Sequence, residues 1–150
     1  MIAISPRPVG RTWNTISFAS TLYLCPILDL LLADIPEQWH AEVRLGLQEA
    51  LVNAAKHGNQ LDPSKRVVVR FTTTGNEYWW AIADQGCGFA CPCPCPTAQF
   101  DEDIPHEEGE CGRGLYILNQ IFDRVHWNDD GTELKLCKKF DRRSRLPLVW

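Results

Sequence analysis

The residues best suited to chemistry fall in three short blocks, the first being Glu49-Ala50-Leu51-Val52-Asn53-Ala54-Ala55-Lys56-His57-Gly58-Asn59. On a helix, residues four apart share a face, so Glu49, Asn53 and His57 line up as a polar stripe. Val43, Leu47, Leu51 and Ala54 lie on the other side and suit a core. A carboxylate, an amide and an imidazole in line predict one wall of a site for a hydrated cation and a polyphosphate. Asn53 offers a neutral carbonyl oxygen to a hard cation. Magnesium prefers oxygen, keeps several waters and shares its shell with phosphates. Glu49, one turn earlier, can take a proton from an attacking hydroxyl or water. His57 has a plainer reading at the helix C-terminus, where it meets the last carbonyls and the dipole; no catalytic role is assigned to it.

The second block, Asp84-Gln85-Gly86-Cys87-Gly88-Phe89, follows a strand, and the third, Gly109-Glu110-Cys111-Gly112-Arg113-Gly114-Leu115, precedes a helix. An ionised Asp84 only accepts hydrogen bonds, so it favours adenine, which offers an exocyclic amine, over guanine, which presents a carbonyl there. Gly86 and Gly88 let backbone approach a flat base. Gly112 and Gly114 stand where helix N-terminal amides point outward, a setting that suits phosphate oxygens. Arg113 adds a fork of donors for a terminal phosphate; a solvent-facing Arg113 is the other reading.

The elements that must position these blocks follow from periodicity. Residues 12–19 alternate as a strand. Residues 22–33 read as a short apolar helix with Pro26 in its first turn. Asp34 is the predicted N-cap of a second helix over 36–57, with Pro36 near its first position and Gly58 and Asn59 ending it in left-handed backbone. Residues 66–73 and 77–83 are strands about a Gly75-Asn76 turn. Residues 85–113 form a long loop of the kind that is functional or disordered. A third helix covers 115–122, with Leu115, Ile117, Leu118 and Ile121 as its apolar face. A closing hairpin pairs 124–127 with 132–138 around Asp129-Asp130-Gly131. Trp79 and Trp80 are adjacent on a strand and face opposite sides, one toward the core and one toward a dimer or partner surface. The order predicts an α+β domain over 1–140, with a mixed, mainly antiparallel sheet and helices on one face. Residues 141–150 form a C-terminal tail.

The totals limit the function classes. The 150 residues are 45% hydrophobic and 23% charged, enough for one cored domain. The net charge of -4, without a long basic stripe, disfavours direct nucleic-acid binding. No secretory signal is visible, and the longest apolar run is broken by Pro26 and Asp29, too short and polar for a membrane span. A cytoplasmic protein is expected. Seven cysteines cannot all pair within one chain. Cys25 and Cys137 read as small buried hydrophobes. Cys87, Cys91, Cys93, Cys95 and Cys111 leave three readings open, namely a soft-metal site, a redox switch, or a mobile segment that happens to hold thiols.

Taken together, in this order and on these elements, the three blocks resemble the GHKL ATPase superfamily (gyrase, histidine kinase, the MutL repair protein and relatives). The helix block is similar to its N box and the glycine blocks to its paired glycine boxes. The run from Glu49 through Asp62-Pro63-Ser64-Lys65, with 84–89 and 112–115, narrows the resemblance to stand-alone anti-sigma factor Ser/Thr kinases, over roughly residues 12–140. About ten residues precede the first strand, leaving no room for an upstream dimerisation segment with a phosphoacceptor histidine. The resemblance implies a two-layer Bergerat-type fold that binds ATP and Mg2+. Asp84 would hold adenine, Asn53 would ligate magnesium and Glu49 would be the general base. Gly86, Gly88, Gly112, Arg113, Gly114 and Leu115 would contribute to the nucleotide site, and residues 90–110 would be a lid. It further implies phosphorylation of a serine or threonine on a STAS-type anti-sigma antagonist, binding of a sigma factor, and a homodimer. The Cys91-Pro92-Cys93-Pro94-Cys95-Pro96 run departs from the family's lid. The alternative function is a nucleotide-dependent binding module that sequesters a partner without kinase activity; a fragment of a larger ATPase is a second.

Overall fold

The computed structural model describes residues 12–88 and 110–140, with side chains from 114 onward in the second stretch. Five strands form a sheet in the order β1-β2-β3-β5-β4: β1 Asn14–Ala19, β2 Arg66–Thr74, β3 Glu77–Ala83, β4 Arg124–Trp127 and β5 Glu133–Lys139. The α+β class is as expected. Each of the four described pairings is antiparallel, so the sheet lacks the parallel component that a mixed sheet would have. Registers of Val69 with Ile82 and Ile82 with Leu134 put these side chains on one face with Val67, Trp80 and Leu136. All six are buried.

Three helices complete the domain: α1 Cys25–Leu32, α2 His40–Val52 and α3 Glu110–Ile121. Leu28, Leu31 and Leu32 of α1, Val43, Leu47 and Leu51 of α2, and Leu118 and Ile121 of α3 join the sheet's inner face in one core. Trp80 is the core member of the tryptophan pair, 2% exposed; Trp79 lies on the opposite sheet face, bonded to Glu77 and stacked under Arg124.

Several local expectations change. The second helix is not continuous over 36–57 but a 3-10 turn at Glu37–Trp39, then α2, then a π-helical turn at Asn53–Gly58. Pro36, not Asp34, occupies the cap position, and the Asp34 carbonyl instead accepts the Tyr78 hydroxyl at 2.7 Å. The left-handed residues are Gln60 and Leu61, one step later than Gly58 and Asn59. The wide turn delays the chain reversal, with Asn59 N–H donating to the Ala54 carbonyl and Leu61 N–H to that of Ala55. Helix α3 begins at Glu110 rather than 115, so Gly112, Arg113 and Gly114 lie inside it. Leu115 is 41% exposed and does not belong to the core-facing side of α3. Cys25 is exposed because it opens α1 ahead of the buried stripe, whereas Cys137 is buried as expected. No helix among the described residues is long and apolar enough to cross a membrane.

Candidate functional site

Helices α2 and α3 run antiparallel along a stripe of α2 spaced four, three and four residues apart: Glu42, Gly46, Glu49 and Asn53. At one end, a Cβ added to Gly46 would stand 2.5 Å from the Phe122 ring. At the other, a Cβ added to Gly114 would lie 3.2 Å from Asn53 Nδ2, 3.6 Å from Glu49 Oε2 and 3.7 Å from Asn53 Oδ1. Glycine at 114 thus lets the start of α3 rest on the Glu49 and Asn53 side chains. Both side chains are half-buried, and neither has a hydrogen-bond partner among the described residues. A half-buried carboxylate and amide left open beside a helix start are groups still able to take a ligand.

The Asp84 end is built by different contacts. Asp84 leaves β3 with its N–H on the Thr132 carbonyl at 2.9 Å. Its Oδ1 accepts the Gly86 N–H at 2.8 Å, and its other carboxylate oxygen accepts no hydrogen bond among the described residues. Any Cβ on Gly58 would collide with this carboxylate, and one on Gly86 would collide with the Gly58 carbonyl. Gly58 therefore serves close approach, not chain reversal. Burial pushes the Asp84 carboxyl above its ordinary value, against the lowering pull of the Gly86 N–H and of Lys65. Gly88 has φ +64, and a side chain there would strike the Asp130 carbonyl, so it locks the exit from β3 onto the β4–β5 turn.

The π-helical turn joins the two ends, since Asn53 opens it and Gly58 closes it. Asn59 follows at 0% exposure and holds the junction. Its Nδ2 donates to Ser20 Oγ at 2.8 Å and to the Arg66 carbonyl at 3.0 Å. Its Oδ1 accepts the Gln85 N–H at 2.7 Å. Sequence reading took Asn59 only as a helix stop. Its partners lie far along the chain, so no local signal marks it.

Of the site residues expected from sequence, Glu49, Asn53 and Gly114 meet at one end and Asp84, Gly86 and Gly88 at the other. Gly112 lies in the first turn of α3, where amides have no partner within the helix. The Leu115 amide falls within the helical ladder. The side chains of Gly112's neighbours Cys111 and Arg113 lie outside the described residues, as do Cys91, Cys93, Cys95, residues 89–109 of the expected lid, and the 141–150 tail. Asn53 is a fit ligand for magnesium, being a neutral oxygen donor with no competing partner. Among the described residues no cluster of three or more acidic, His or Cys side chains offers a separate metal cage. A cation held through one side chain and a ligand's phosphates matches that donor set.

The sequence matches the model of the histidine kinase-like ATPase domain over residues 29–138. That span takes in α2, the π-helical turn, the Asp84 block, α3 and almost all of β5. No curated protein matches the chain.

Proposed function

The chain belongs to the histidine kinase-like ATPase family, and we propose that it uses bound ATP to phosphorylate a serine or threonine of a partner protein. Asp84 accepts the adenine amine through the carboxylate oxygen that Gly86 leaves free. The first-turn amides of α3, with Gly112 among them, and the Arg113 guanidinium receive phosphate oxygens. Gly86 and Gly88 shape the exit from β3 under the base, and Gly114 and Leu115 hold the start of α3 in place. Asn53 holds magnesium, which when bound with the nucleotide offsets the charge that builds on the transferred phosphoryl group. Glu49 takes the proton from the attacking hydroxyl, so the hydroxyl oxygen meets the terminal phosphorus as an alkoxide-like nucleophile.

The observation that carries this reading is the meeting of Glu49, Asn53 and Gly114, with a carboxylate and an amide open to a ligand beside a helix N-terminal turn. The partners are part of the same proposal: a STAS-type anti-sigma antagonist as substrate, a sigma factor as second partner, a homodimer as the working unit and the cytoplasm as its place. They rest on the resemblance of residues 49–65, 84–89 and 112–115 to the anti-sigma factor kinases. The test is to incubate purified protein with radiolabelled ATP, magnesium and candidate antagonists. Label should move to the antagonist with wild-type protein. Glu49→Gln should keep ATP binding and lose the transfer; transfer at the wild-type rate by that variant would remove Glu49 as base. ATP binding with no transfer to any candidate would favour the binding-module reading.

A further inference from the structure

Lys138 lies on the inner face of β5, in step with Leu134 and Leu136, and is 7% exposed. A buried ammonium needs partners. It donates to Glu42 Oε1 at 3.0 Å and to the carbonyl of Ile121, the last residue of α3, at 2.6 Å. It also sits 4.8 Å from the centre of the Trp39 ring. Glu42 is itself 3% exposed, and its Oε2 has no partner. One side chain thus ties β5 to the start of α2 and to the end of α3. A positive group at a helix C-terminus also meets the negative end of the dipole.

Glu42 belongs to the stripe that reaches Asn53. The ion pair closes one end of the α2–α3 contact, and the Gly114 junction closes the other. Both helices are rigid rods on this length scale. Whatever fixes the C-terminus of α3 against α2 therefore fixes where its N-terminal turn stands over Glu49 and Asn53. We infer that Lys138 and Glu42 are positioning residues for the phosphate end of the site, setting the placement of the α3 N-terminal turn from the far end of that helix. The adenine end, built from Asp84, Gly58 and Asn59, shares none of these contacts. The inference rests on the ATP reading above.

A buried pair of this kind also contributes to stability, so the test must separate the two roles. Replacing both members with apolar residues of similar size often leaves stability near or above the starting value. In the Lys138→Met/Glu42→Leu variant the fold is kept while the tether to the Ile121 carbonyl is gone. Gly46→Ala provides an independent perturbation, pushing on Phe122 with the ion pair intact. Affinities for Mg-ATP and for adenosine would be measured by calorimetry, alongside the unfolding midpoint. In both variants the ATP affinity should fall by about tenfold or more, since misplacement by an ångström can lose as much as 10²-fold, while adenosine affinity stays within about twofold. Unchanged ATP affinity in the folded double variant, or equal losses for ATP and adenosine, would overturn the inference. If wild-type protein bound neither ligand, the ATP reading itself would fall, and the positioning role with it.

Discussion

Gly58→Ala isolates the adenine end of the site. A Cβ at this position would stand 2.7 Å from Asp84 Oδ1 and nearer still to the rest of the carboxylate. Ordinary contact begins at 3.4 Å, so the carboxylate must retreat by about 0.7 Å or more. It cannot do so freely, because Gly86 N–H holds Oδ1 at 2.8 Å and the Asp84 N–H is fixed to Thr132. A hydrogen bond to a charged group contributes about 1.5–3 kcal/mol. Losing it to the adenine amine weakens binding about ten- to a hundredfold. Stability should hardly change. Gly58 does not have positive φ, so alanine gains about 0.4–1 kcal/mol by restricting the unfolded chain, which offsets the strain. Calorimetry with a non-hydrolysable ATP analogue, beside thermal unfolding, reads both quantities. Gly75→Ala is the contrast: it meets nothing within 4 Å but sits at φ +56, so it should lower stability by about 1–2 kcal/mol and leave binding alone. Wild-type nucleotide affinity in Gly58→Ala would show that Asp84 does not hold the ligand.

Four further outcomes follow. Because burial raises the folded-state pKa of Asp84, its ionisation weakens the fold; that penalty is absent below the ordinary carboxylate range and complete above the raised value. Asp84→Asn should therefore lose ATP binding without a lower unfolding midpoint at pH 7, and wild-type affinity should drop on acidification already above the ordinary carboxylate range, as a pH series by calorimetry would reveal. Lys138→Met alone leaves Glu42 buried without its counter-charge and should cost about 3–5 kcal/mol in urea unfolding, largely recovered by adding Glu42→Leu. Asn59→Ala strips the Arg66 carbonyl of its donor and should destabilise by about 1–3 kcal/mol for each buried group left unpaired, read by the same unfolding curves. Cys137, with its thiol pushed up to about 11 chiefly by burial, should resist iodoacetamide at pH 8 in the native state, whereas exposed Cys25 and Cys87 should label, as mass spectrometry would report.

What the chain discloses locally is the set of groups that face a ligand. Glu49 and Asn53 are marked by a helical repeat, and Asp84 by its place at the end of an alternating strand. The groups that hold these in place are hidden, because their partners are remote. Gly58 reads as a helix stop until Asp84 is seen against it, 26 residues away, and Asn59 serves Ser20, Arg66 and Gln85 at once. Lys138 is a partial exception. Strict alternation from Leu134 and Leu136 puts it on the core face, but a lysine there is unexpected until Glu42 supplies the opposite charge. Cys25 and Leu115 went the other way. Each begins an apolar run, and the first residue of such a run stands too early in the turn to reach the core.

The π-helical turn carries one more residue per coil than its surroundings need. Deleting a single alanine, Ala54 or Ala55, would let the coil tighten to the ordinary pitch. Everything upstream would stay in phase, and everything downstream would rotate by about 100 degrees. Glu49 would keep its seat while Gly58 swung off Asp84. The molecule thus contains a natural indexing notch, at which the part that reads the base could be re-aimed without touching the part that handles the phosphates.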